Sequence, residues 1–178
     1  AHVIAIEKDQ RASAVLSSLS MAAGERLTLI EADALTSPIW DIGTAPRRII
    51  ANLPYNIATP LLIQWLSHAN CFDSMTLMFQ REVAERITAQ PGTDAYGRLS
   101  VLTKWRADAE ILFDVPASAF VPPPKIISSV VQIVPLAQPR YNCSQKALDF
   151  IPRTAFGQRR KMLRSSLKKI NGDHLLKE

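Results

Sequence analysis

Four consecutive residues concentrate the chemistry of this chain: Asn52-Leu53-Pro54-Tyr55, directly after the run Arg48-Ile49-Ile50-Ala51. Pro54 fixes its own φ and biases Leu53 toward an extended conformation, so the direction of the Leu53 carbonyl is largely set. The amide oxygen of Asn52 and that carbonyl are two acceptors able to grip one –NH2 group. Tyr55 supplies a flat face for the ring that bears it. An adenine N6 poses this problem, because its lone pair is delocalised into the ring and is a poor nucleophile. Two acceptors on its hydrogens pull the nitrogen toward a tetrahedral shape and aim the lone pair at an electrophile. Positioning and electrostatics then carry the catalysis. That chemistry needs no general base of tuned pKa, and His2, His68 and His174 are scattered, as surface or structural histidines are.

The elements that must hold these residues can be read on either side of them. "HVIAIE" is a short strand closing on Glu7, and "RLTLIEAD" repeats the pattern, closing on Asp33. Between them Gln10 to Ala23 has helical spacing, with Ala14, Val15, Leu19 and Ala22 on one side and Gly24 as a stop. "RRIIANLPY" is a third strand. Thr59 and Pro60 predict the cap and first position of a helix running to about His68. "SMTLMFQ" predicts a strand, Arg81 to about Gln90 a helix, and Arg98 to Trp105 another. "AEILFDVP" and "IISSVVQIVP" are two strands with no helix between them, which points to an antiparallel edge hairpin around the stiff loop "SAFVPPPK". Strands alternating with helices predict an α/β fold, a parallel-based sheet with helices on both faces. "PLAQP" predicts a linker, and beyond it the pattern is helical, about Ser144 to Phe156 and Gln158 to Ile170.

Ligands of such sheets gather at the carboxyl ends of strands. Glu7, Asp33 and Asn52 stand at three of them. An acid closing an early strand takes ribose hydroxyls, and an acid at the next can accept from an adenine amine. Either acid alone reads more simply as a helix cap; together with Asn52 they point to an adenosyl ligand. The net charge of +5 is concentrated at one end, where the stretch from Arg153 carries eight lysines and arginines against Asp173 and Glu178. A near-neutral body with a basic end suits a local anionic partner, nucleic acid first, although a solvated helix face explains the charge equally well. Apolar runs are strand-length, far short of a membrane span. Cys71 and Cys143 match no metal spacing and read as free thiols of a reducing cytoplasm.

With these motifs in order, the chain resembles the rRNA adenine N6,N6-dimethyltransferase family, the small-subunit rRNA dimethyladenosine transferases. "NLPY" is joined by "EADAL", "QREVAERI", "YGRLSV", "AFVPPPK" and "FGQRRKMLRSSL". The resemblance implies a Rossmann-like methyltransferase sheet over residues 1–138, and over 139–178 the start of a small C-terminal helical, RNA-binding domain. It implies S-adenosyl-L-methionine as donor and no metal. Glu7 would hold the donor's ribose and Asp33 its adenine amine, with Ala34 contributing backbone. Asn52 would border the donor and, with the Leu53 carbonyl, orient the target N6. Tyr55 and Phe120 would sandwich the flipped target adenine, the plainer reading of Phe120 being core filling. Arg159, Arg160, Lys161 and Arg164 would track the RNA. The implied partner is small-subunit rRNA or the immature small subunit, met by a cytoplasmic monomer without membrane contact.

Members of that family begin with an arm, a first strand and a Gly-x-Gly-x-Gly turn. Nothing of that kind precedes "AHVIAIE". The expectation is therefore an internal fragment, its sheet gapped where the first strand belongs, with weak or absent donor binding and no turnover by this exact polypeptide. Two rivals stand beside the leading reading: a large-subunit rRNA adenine N6-methylase, and a non-catalytic RNA-binding ribosome-assembly factor. The "AFVPPPK" loop and "FGQRRKMLRSSL" favour the small-subunit type.

Overall fold

The computed structural model describes residues 1–157 of the 178. Strands β1 (Val3–Glu7) and β2 (Leu27–Glu31) pair in parallel, with Glu7 opposite Glu31. Between them runs helix α1 (Gln10–Ala23). The Asp9 side chain accepts from the Arg11 N–H at its start, and Gly24, at φ 58, ends it. The stripe Ala14, Val15, Leu19 and Ala22 faces solvent, Val15 being 73% exposed. The more sheltered positions are Ala12, Ser13, Leu16, Ser20 and Ala23. The helix covers only a two-stranded ribbon, and small side chains let it lie close there.

A second, four-stranded sheet has the order β3-β4-β6-β5. Strands β3 (Arg48–Asn52) and β4 (Ser74–Gln80) are parallel. Strand β6 (Ser128–Pro135) runs antiparallel to both β4 and β5 (Ala107–Val115), which gives the antiparallel edge predicted from the sequence. No ladder joins β1 to β3, so the sheet is divided at the place where a gap is expected. The chain between the two sheets packs across the division: Ala34, Leu35, Ile39 and Trp40 lie against the main core, and Gly43 passes beside Ile4.

The core is built on helix α2 (Tyr55–Ser67). Ala58, Leu61, Leu62, Trp65 and Leu66 recur at the spacing of one helical face, all buried. They pack with Met75, Leu77 and Phe79 of β4 and Val131 and Ile133 of β6. Burying a leucine this completely contributes about 1.5–3 kcal/mol. The expected start of α2 at Thr59-Pro60 is displaced. The Pro54 carbonyl accepts from Ile57 and Ala58, so the helix opens at Tyr55 and Pro60 lies inside it. The two faces of the four-stranded sheet differ. Met75, Leu77 and Phe79 are buried while Ser74, Thr76, Met78 and Gln80 alternate as half-exposed, and Ile50 on β3 is 84% exposed. One face of this sheet carries the core and the other is open.

Helices α3 (Arg81–Thr88) and α4 (Arg98–Arg106) follow, and α5 (Gln145–Phe156) begins with the Ser144 side chain accepting from Ala147 N–H. The stretch read as a linker is fastened down. Leu136 N–H donates to Arg106 O, Arg140 N–H to Trp105 O, and the Trp105 indole to Tyr141 O at 2.8 Å. Leu148 of α5 then packs with Leu102 and Trp105. The helix expected over residues 158–170 lies outside the described residues, as do Arg159, Arg160, Lys161 and Arg164.

Candidate active site

Asn52 ends β3 opposite Met78, with Leu53 and Pro54 between it and the first turn of α2. Pro54 sits at φ −56 and ψ 133, the extended entry that the proline dictates. Its carbonyl is taken up by the helix, whereas neither the Asn52 side-chain amide nor the Leu53 carbonyl has a hydrogen-bond partner among the described residues. Asn52 is exposed and Leu53 half-buried, so both acceptors stand at the surface with their capacity unspent. Tyr55 is half-buried, and its hydroxyl lies 2.7 Å from Ser128 Oγ.

Phe120 lies on the loop between β5 and β6, just after a 3-10 turn over Ala117–Ala119 that its own N–H closes onto Ala117 O at 3.2 Å. It is half-exposed and joins neither core cluster. Tyr55 and Phe120 make no ring contact with each other among the described residues. The loop returns to the sheet at Ser128, the residue that holds the Tyr55 hydroxyl.

The two carboxylates lie at the adjoining ends of β1 and β2. Glu7 Oε1 accepts from the backbone N–H groups of Lys8 and Asp9, each at 2.8 Å, while Oε2 has no partner among the described residues. The Glu7 carbonyl accepts from Ala32 N–H, which ties the two strand ends together. Asp33 Oδ1 accepts from Leu35 N–H at 2.9 Å, and Oδ2 takes the Lys8 ammonium at 2.8 Å. Those two donors, Lys8 first, hold the Asp33 carboxyl below its usual range. The acid-cap reading of these residues is therefore partly realised by one oxygen of each; Glu7 Oε2 remains for a ligand, and Asp33 Oδ2 becomes so only when it releases Lys8. Lys8 is solvent-exposed, so its pairing with Asp33 is cheap to give up. Ala34 packs on the main core, fixing the backbone beside Asp33.

Sequence reasoning did not find Lys8 or Ser128. Lys8 is a neighbour of Glu7 in sequence but reaches Asp33 only because β1 and β2 are paired. His68, left outside the chemistry, stacks on Trp40 with ring centroids 3.7 Å apart, and His2 bonds Thr28 Oγ1. Both are structural.

The family model for ribosomal RNA adenine dimethylase matches residues 1–177. The chain belongs to that family. Relatives named "Ribosomal RNA small subunit methyltransferase A" share 53% identity over 168 residues in Rhodospirillum rubrum, covering 94% of this chain and 58% of the relative. The same name is carried by a relative 54% identical from Azorhizobium caulinodans, with 97% and 60% covered. Among solved structures, a dimethyladenosine transferase from Plasmodium falciparum superposes with a TM-score of 0.81 at 30% identity, covering 98% of this chain and 62% of that one. The 23S rRNA methyltransferase ErmE matches at TM-score 0.71 and 23% identity, over 94% and 66%, a likeness of fold. The dimethylase-family chain described here thus spans about three fifths of the length of these relatives. Its two sheets have the Rossmann-like arrangement of those structures.

Proposed function

We propose that this chain carries the adenine-gripping half of an rRNA adenine N6-dimethylase that acts on two adjacent adenosines of small-subunit rRNA. The observation that carries the reading is the pair of unspent acceptors, Asn52 and the Leu53 carbonyl, beside the Tyr55 ring. A structural turn would have used them internally. The names of the relatives support small-subunit rRNA as the substrate.

The residues fit the family's donor. Glu7 Oε2 is available for ribose hydroxyls, and Asp33 has lone pairs left for an adenine amine. Ala34 is the adjoining backbone. S-adenosyl-L-methionine, when bound, supplies an electrophilic methyl group. The chain's own part is to orient the acceptor. Asn52 and the Leu53 carbonyl take the two N6 hydrogens, which localises the lone pair on nitrogen. Tyr55, with Phe120 opposite, holds the base plane, and such stacking contributes about 1–3 kcal/mol per base. A base cannot be reached at N6 while stacked and paired, so the target enters this slot flipped out. The proton lost on methylation leaves to solvent from a site open on one side.

The basic segment containing Arg159, Arg160, Lys161 and Arg164 supplies phosphate contacts, and the helical part from residue 139 forms the base of an RNA-binding domain. The whole works in the cytoplasm as a monomer. No helix of the described residues is long and apolar enough to cross a membrane. The test is methyl transfer to unmodified small-subunit RNA by the full-length protein, read by nucleoside mass analysis. Dimethyladenosine at two neighbouring positions supports the reading. Modification of large-subunit RNA instead, or RNA binding without any methyl transfer, refutes it.

A further inference from the structure

The Tyr55 hydroxyl and Ser128 Oγ, 2.7 Å apart, join residues separated by 73 positions. Ser128 is fully buried and opens β6, paired to Gln80 of β4 on one side and to Val115 of β5 on the other. A side chain held between two strands has little freedom to move. The surrounding bonds anchor the same point. Arg81 N–H donates to Ile127 O at 3.0 Å, Ser129 Oγ donates to Asp114 Oδ1 at 2.6 Å, and Asp114 Oδ2 faces the Arg81 guanidinium at 3.2 Å. Ser128 is therefore a fixed reference at the root of the loop that carries Phe120. Tyr55, in contrast, is the first residue of a helix and half-buried, and its ring is steered by that one polar contact.

We infer that Ser128 is a positioning residue for the target base. Its hydroxyl fixes the Tyr55 ring relative to the Phe120 loop and so sets the gap into which the base slides. This rests on the reading of Tyr55 and Phe120 as the walls of the slot. A base held between two rings tolerates little change in their separation, and a misplacement of about 1 Å in such a site can cost on the order of a hundredfold in rate. The hydroxyl does not touch the base; it acts through Tyr55. A serine that only filled the core would affect stability and leave turnover by the folded protein unchanged.

The test compares Ser128→Ala, Tyr55→Phe, the double variant and Ser128→Thr in the full-length protein. Methyl transfer to small-subunit RNA is measured, together with the fluorescence of 2-aminopurine placed at the target adenosine. Tyr55→Phe removes the same bond without disturbing the buried position, should Ser128→Ala fail to fold. The expected result is a fall in kcat of about tenfold for each single variant, no further fall for the double, and unchanged KM for the donor. The 2-aminopurine signal falls in parallel, and Ser128→Thr restores both readouts. Wild-type kcat in Tyr55→Phe, or additive losses in the double variant, overturns the inference while leaving the methylase reading intact. A wild-type protein that transfers no methyl group and leaves 2-aminopurine unperturbed overturns both.

Discussion

The Lys8 ammonium lies 2.8 Å from Asp33 Oδ2, bridging the ends of the first two strands. The contact places a cation on one of the two carboxylates that the donor is proposed to use, while the Lys8 backbone N–H donates to the other, Glu7. It holds the Asp33 carboxyl below its ordinary value, with the Leu35 N–H adding to the effect. A carboxyl depressed in this way contributes stability that is present above its unfolded pKa and is lost as pH falls through the lower folded value. Asp33 is therefore ionised across the neutral range, and the contribution disappears only in acid. In Lys8→Met the Asp33 pKa rises toward the usual carboxylate value, because the larger of the two stabilising donors is gone. Carbon-detected titration of the side-chain carboxyl checks this, and an unchanged midpoint contradicts it.

Asp33→Asn separates the donor's requirements from the fold. The Leu35 N–H still finds an oxygen, but the charge facing Lys8 is lost. Donor affinity of the full-length protein falls by about tenfold, the loss of one charge-assisted hydrogen bond of roughly 1.5 kcal/mol. Calorimetric titration with the donor reads it directly, and unfolding midpoints close to wild type show that the fold is intact.

Gly43 and Gly24 both have positive φ but differ in surroundings. A Cβ at Gly43 (φ +71) meets Ile4 Cδ1 at 2.9 Å, whereas one at Gly24 (φ +58) meets nothing. Alanine at either position costs about 1–3 kcal/mol of backbone strain. Gly43→Ala adds a packing penalty of about 1–3 kcal/mol unless Ile4 turns aside. Urea unfolding should therefore rank Gly43→Ala below Gly24→Ala, and equal midpoints would show that β1 yields freely to the loop.

Leu62 and Leu19 test where the two helices face. Leu62 is fully buried and Leu19 is 55% exposed. Leu62→Ala costs about 2–5 kcal/mol. Leu19→Ala stays within about 0.5 kcal/mol, as for other exposed positions. A large loss at Leu19 in this chain would place the apolar stripe of α1 inward after all.

The strands were legible because β-branched and apolar runs end on acids or on the Asn-Leu-Pro break. Ser74–Gln80 and Gln10–Ala23 coincide with their predicted spans. The start of α2 was not, because Pro60 imitates a first helical position while the Pro54 carbonyl nucleates the helix five residues earlier. That difference matters to the site, since it puts Tyr55 on a helix rather than in a loop. Which way the one-sided stripe Ala14, Val15, Leu19 and Ala22 of α1 faces was not legible, because apolarity leads to burial only when there is a layer to bury against, and a two-stranded sheet offers little. Glu7 and Asn52 close β1 and β3 as their runs predicted, whereas β2 ends at Glu31, two residues before the expected Asp33. Ser128 gave no such sign, because its role comes from a bond to a residue 73 positions away. Phe120 carried two readings in the sequence, and its half-exposed place outside both core clusters leaves little to favour core filling.

Asn52 and the Leu53 carbonyl are proposed to hold the target amine. The most direct measurement of this is Asn52→Ala in the full-length protein, with methyl transfer to small-subunit RNA and RNA affinity determined on the same preparation. Transfer is expected to fall about a thousandfold, as for removal of a positioned transition-state donor or acceptor, with RNA affinity within a few-fold of wild type. Transfer that persists near the wild-type rate, or RNA affinity that collapses along with it, would mean that Asn52 does not hold the amine.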